Sequence, residues 1–117
     1  EMMSASPLKK PEPVTRQQIS AMVERIVHRF APERIILFGS CARRDADADS
    51  DVDLLIVMPV KGSCRKKAVE VAVALHDFAV PKDVIIVTPE EFAWRKDVVG
   101  TIEWPASREG EVLYARA

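Results

Sequence analysis

Apolar residues between Thr15 and Pro32 fall at Ile19, Met22, Val23, Ile26, Val27 and Phe30, a spacing of i, i+3, i+4, i+7, i+8, i+11. That period places them on one side of a helix. Thr15 followed three residues later by Gln18 supplies a capping box at its start, and Pro32 stops it. The pattern then changes character. Arg34 to Phe38 holds four consecutive apolar residues, two of them isoleucine, which predicts a short buried strand. A polar loop with a helical turn is expected from Ser40 to Asp49, and Val52 to Met58, closed by Pro59, reads as a second strand.

Lys61 to Lys67 reads as a basic, glycine-containing connection, followed by a helix over Ala68 to Val80 with Ala68, Val71, Ala72, Leu75, Phe78 and Ala79 on its broad apolar side and Pro81 as its stop. Asp83 heads a third strand, Val84 to Val87. Thr88 then caps another helix, with Pro89 at the first helical position and Glu91 closing the box. Glu111 to Tyr114 predicts a short final strand. The order helix, strand, strand, helix, strand, helix predicts an α+β (compact α/β) fold, a small mixed sheet with helices mainly on one face and the other face open. Residues 1–13, rich in proline and without periodicity, read as a flexible lead, and 14–117 as a single domain.

Composition constrains function more than fold. With 48% apolar and 30% charged residues the 117-residue chain is ordinary for a globular protein, and no apolar run is long enough to span a bilayer. A formal charge of −1 gives no general attraction to nucleic acid. Cys41 and Cys64 with two histidines form no zinc spacing, and a cytoplasmic, reducing setting is the expectation. His28 and His76 read as surface residues, and Trp94 and Trp104 as core edges.

The chemistry concentrates in one stretch: Gly39-Ser40, ten residues, then Asp51-Val52-Asp53. Alternate residues of a strand share a face, so Asp51 and Asp53 point together and Val52 away. Paired carboxylates repel unless a cation lies between them, and hard oxygen donors suit Mg²⁺. A glycine after a strand lets backbone N–H groups approach a phosphate. Asp83 joins the pair if its strand lies beside the second one. Asp45, Asp47 and Asp49 read as solvated loop residues, and Lys61, Arg65, Lys66 and Lys67 as a solvated helix start with a nucleotide or partner contact as the alternative.

Phe38-Gly39-Ser40-Cys41-Ala42-Arg43-Arg44-Asp45 with Ser50-Asp51-Val52-Asp53-Leu54-Leu55 resembles the polymerase-β superfamily of nucleotidyltransferases, and within it the minimal (MNT) type; the acidic strand at Asp83 and the ending Glu109 to Tyr114 agree. The resemblance implies that Asp51, Asp53 and Asp83 hold Mg²⁺ or Mn²⁺, that Asp83 assists deprotonation of an acceptor hydroxyl, and that Gly39, Ser40 and Arg43 grip the phosphates of ATP. Arg44 and Cys41 depart from the family's usual glycine and arginine, and neither is a metal ligand. It further implies transfer of a nucleoside monophosphate, AMP from ATP, to a hydroxyl of a macromolecule. Relatives that act on small molecules add a domain for the acceptor, so a HEPN-type ribonuclease partner is the expectation, the chain being the antitoxin of a toxin–antitoxin pair. The alternatives are an aminoglycoside-type small-molecule transferase, completed by a dimer, and a non-catalytic module that masks a toxin.

Overall fold

The computed structural model describes residues 15–38, 52–95, 97 and 110–116. Helix α1 spans Arg16–Phe30, and its start is built as the sequence requires: the Thr15 side chain accepts from the Gln18 N–H while the Gln18 side chain accepts from the Thr15 N–H. Ala31, in a left-handed conformation with φ 47°, ends it, and the Ala31 N–H donates to the Val27 carbonyl. Ile19, Met22, Val23 and Ile26 form its buried stripe. Strand β1 follows at Arg34–Phe38 and β2 at Val52–Val57.

Helix α2 covers Cys64–Ala74. It begins four residues earlier than the apolar pattern predicts, because Ser63 is the cap, its hydroxyl accepting from the Lys66 N–H at 3.2 Å. It also ends earlier: the Leu75 N–H is shared between the Val71 and Ala72 carbonyls, and a series of turns carries the chain to β3. Val71 and Leu75 are buried as expected, while Ala72 and Ala79 are exposed. Strand β3 is Lys82–Val87 and helix α3 is Pro89–Arg95. Around the head of α3, Thr88 donates its N–H to Glu91 Oε1 at 3.3 Å and accepts from the Glu91 N–H at 3.2 Å, so the second capping box also forms. Strand β4 is Glu111–Ala115.

The sheet order is β3-β2-β1-β4. β1 pairs antiparallel with both β2 and β4, and β2 pairs parallel with β3, so the sheet is mixed. Alternation divides its side chains cleanly. Ile35, Leu37, Val52, Leu54, Ile56 and Ile86 pack with the buried stripe of α1 and with Val71 and Leu75 of α2. Ile36, Leu55, Val57 and Val87 lie on the opposite side in a smaller cluster completed by Phe92 of α3. One face is thus covered by two helices, and the other by the short α3 packed over the ends of β2 and β3 at Val57 and Val87. In β4, Ile35 faces Tyr114 while Ile36 faces Val112, which leaves Leu113 as an extra residue and turns both Leu113 and Tyr114 onto the face of α1. Among the described residues no helix is long and apolar enough to cross a membrane.

Candidate active site

Asp53 lies on the less covered face because its strand forces it there. Val52, Leu54 and Ile56 are committed to the α1/α2 side, so Asp53 shares the other side with Leu55 and Val57. The same logic puts Asp83 on that side with Ile85 and Val87. Asp53 and Asp83 are register partners across the parallel β2–β3 pair, and Phe38 is the partner of Asp53 across β1–β2. Neighbouring strands run ~4.8 Å apart, so two carboxylates stand side by side on one face. Asp53 is half-buried and Asp83 exposed.

Three chain ends converge at this edge. β2 and β3 both start here, and β1, running the opposite way, finishes here at Phe38. Phe38 and Val52 flank segment 39–51, so the Gly-Ser pair follows directly from a strand whose last residue is the neighbour of Asp53. Gly39, Ser40, Arg43 and Asp51 themselves lie outside the described residues, as do Cys41, Arg44 and Trp104. Of the six sequence-derived site residues, the structure therefore brings together Asp53 and Asp83. Their donor set, two hard carboxylate oxygen groups facing one side, fits Mg²⁺ or Mn²⁺, which take one or two protein carboxylates and fill the remaining positions with water and phosphate oxygens.

Other candidates settle differently. Arg65, Lys66 and Lys67 belong to the first turns of α2, which follows the far end of β2, four strand residues beyond Asp53, so the basic run sits at the opposite end of the sheet from the carboxylates. Lys67 is engaged there with Glu70 at 3.1 Å and over the Phe30 ring at 5.8 Å. His28 and His76 are exposed, as expected. Trp94 is not a core edge: it is 57% exposed on α3, with the Arg95 guanidinium 5.2 Å from its ring. Its neighbour Phe92 takes the buried position instead. Burial, and secondarily Glu91, pushes the Cys64 thiol above its ordinary pKa, the reverse of what a nucleophilic cysteine needs.

Two residues near the carboxylates were not singled out by the sequence. Phe38 forms the apolar wall beside Asp53, packed against the Phe92 cluster; only its place before the glycine marks it. Lys82, immediately before Asp83, donates from Nζ to the Phe78 and Val80 carbonyls at 2.9 and 3.0 Å. A lone lysine at a strand start carries no signal in sequence. A groove of about 480 Å³ runs between α1 and β4 and is lined by Ile19, Val23, Val27, Leu113 and Tyr114, away from both carboxylates.

Comparisons with known proteins place the chain among nucleotidyltransferases. Residues 19–106 match the family described as "Nucleotidyltransferase domain". Over 54 residues the chain is 37% identical to a protein of Methanocaldococcus jannaschii named "putative protein adenylyltransferase"; the match covers 46% of this chain and 54% of that protein, so it spans about half the length of the relative. Among solved structures, the fold is similar to one described as a "putative nucleotidyltransferase" from Sulfolobus solfataricus, with a TM-score of 0.60 and 22% identity, covering 86% of this chain and 79% of the other.

Proposed function

The chain belongs to the nucleotidyltransferase domain family, and from that premise we propose that it transfers a nucleoside monophosphate, AMP from ATP, to a hydroxyl of a partner protein. The observation that carries this reading is the register Asp53↔Asp83 on one face, beside the end of β1 from which the Gly-Ser segment departs. Asp53 and Asp83, with Asp51, hold Mg²⁺ or Mn²⁺. Such a cation, when bound, supplies charge neutralisation at the phosphate oxygens. Gly39, Ser40 and Arg43 hold the triphosphate, the guanidinium matching phosphate oxygens bidentately. The acceptor oxygen bonds to the α-phosphorus as the bond to pyrophosphate breaks, and the hydroxyl proton passes to a carboxylate oxygen of Asp83.

A protein acceptor is supported by the Methanocaldococcus relative, which is named a "putative protein adenylyltransferase". A partner chain supplies the acceptor in this reading. Its proposed identity is a HEPN-type ribonuclease toxin, which makes this chain the antitoxin of the pair.

The test is the intact mass of a HEPN-type ribonuclease after incubation with the chain, ATP and Mg²⁺. A gain of one AMP per partner molecule, lost with Asp53→Asn and with Asp83→Asn, is the expected result. A partner neutralised without any change in mass rules out transfer as the mode of action.

A further inference from the structure

We infer that Lys82 is a positioning residue for the carboxylate pair, fixing the entry of β3 so that Asp83 stands beside Asp53. The inference rests on the reading of that pair as the metal-holding site. Three connections place the lysine in this role. First, α2 ends at Ala74, and the chain reaches β3 through turns whose carbonyls no longer have helical partners. The Lys82 ammonium, with three donors, takes two of them: Phe78 O at 2.9 Å and Val80 O at 3.0 Å, in a partly buried setting. Second, the intervening Pro81 has no N–H, but its carbonyl accepts from the Val52 N–H at 2.9 Å. Third, Val52 and Lys82 are register partners, one step before the partners Asp53 and Asp83.

β2 and β3 are therefore tied through backbone immediately ahead of both carboxylates, and the Lys82 side chain holds the approach to β3. β3 is the edge of the described sheet, with only β2 beside it, so no second strand fixes its start. Lys82 itself does not share the carboxylate face. Alternation along β3 sends Asp83 to the side of Ile85 and Val87, and Lys82 to the opposite side with Val84, which packs on the α1/α2 core. The ammonium thus acts through backbone, not through contact with nucleotide or cation.

Charge and geometry predict opposite effects of removing it. A cation near a metal site weakens metal binding, so loss of the charge alone tightens it. Loss of the positioning bonds loosens the pair and weakens binding; groups that orient metal ligands typically contribute about 10-fold or more in metal affinity, and an effect through backbone belongs at or below the low end, about fivefold.

The experiment is a Mn²⁺ titration of the nucleotide-free full chain, followed by calorimetry below each variant's melting temperature, with circular dichroism confirming the folded state. Lys82→Met is expected to weaken Mn²⁺ binding about fivefold, and Lys82→Arg, which keeps a cationic donor, to restore it to near the wild-type value. Should Lys82→Met not fold, Lys82→Gln takes its place, with the same direction expected. Binding by the folded Met or Gln variant that equals or exceeds wild type overturns the inference, even if the melting temperature falls, because a purely structural lysine lowers stability without touching the affinity of the folded protein. Wild-type protein that binds no Mn²⁺, alike with its Asp53→Asn variant, overturns instead the metal-holding reading beneath it.

Discussion

At the scale of single residues, Asp53 and Asp83 differ in what their strands ask of them. Asp53 sits half-buried between Phe38 and Asp83 in a strand whose other members are all buried, whereas Asp83 is exposed at the sheet edge. An exposed carboxylate contributes little to folding. Asp83→Asn is therefore expected to leave the melting temperature in EDTA within about 2 °C of wild type, while lowering nucleotidyl transfer about 100-fold or more, the equivalent of about 3 kcal/mol of transition-state stabilisation. Thermal melts and initial rates on one preparation check both halves. A variant that loses activity only in proportion to its loss of folded protein contradicts the assignment.

Arg25 shows the opposite case, a residue whose work is structural. From α1 it donates to the Ala74 carbonyl at 3.0 Å, pairs with Asp77, and stacks 4.7 Å over the Phe78 ring, fastening α1 to the end of α2. The hydrogen bond from Arg25 holds the Asp77 carboxyl below its ordinary pKa. A depressed folded-state pKa stabilises the fold above the unfolded value, ~3.9 for Asp, and that stabilisation is lost as pH falls through the folded-state value. The stability gap between wild type and Asp77→Asn should thus be constant from neutral pH down to about pH 5 and close in more acidic solution. Denaturation at a series of pH values tests it; a gap that widens on acidification contradicts the sign.

At the scale of elements, what the sequence discloses is what is local. Both capping boxes form from residues three apart, Thr15 with Gln18 and Thr88 with Glu91. Each is expected to contribute about 1 kcal/mol, measured as the loss of unfolding free energy in Thr15→Ala and Thr88→Ala by chemical denaturation. β1 and the buried stripe of α1 are equally legible, since apolar period and burial coincide there.

Helix α2 is less legible in the sequence for a physical reason. Its first turn is Cys64, Arg65, Lys66 and Lys67, cations where the helix dipole prefers acids, so the charge pattern argues for a loop while the Ser63 cap decides for a helix. Val69 and Val73, 59% and 62% exposed one turn apart, blurred its apolar side further. The bulge at Leu113 left no trace in a five-residue strand, because which residue is unpaired depends on β1, far away in sequence.

At the scale of the whole molecule, the decisive fact is strand order, which no local pattern carries. Asp83 becomes the partner of Asp53 only because β3 returns parallel to β2 through α2, and the same topology carries the basic start of α2 to the far end of the sheet. Asp53 and Asp83 each stand out in the sequence, while their meeting across β2 and β3 required the fold. A consequence for the intact protein follows. ATP should raise the melting temperature in Mg²⁺ or Mn²⁺ and fail to do so in EDTA, since triphosphate and carboxylates repel without a cation between them. Equal stabilisation by ATP in both conditions contradicts a metal-bridged nucleotide.

The central claim is that the acidic pair directs attack at the α-phosphorus, and ATP labelled separately at the α- and γ-phosphates tests it most directly. With the partner protein and Mg²⁺ present, the α label should become covalently bound to the partner and the γ label should leave as pyrophosphate, with the transfer abolished in Asp53→Asn. Label from the γ position on the partner, or α-label transfer undiminished in Asp53→Asn, would contradict it.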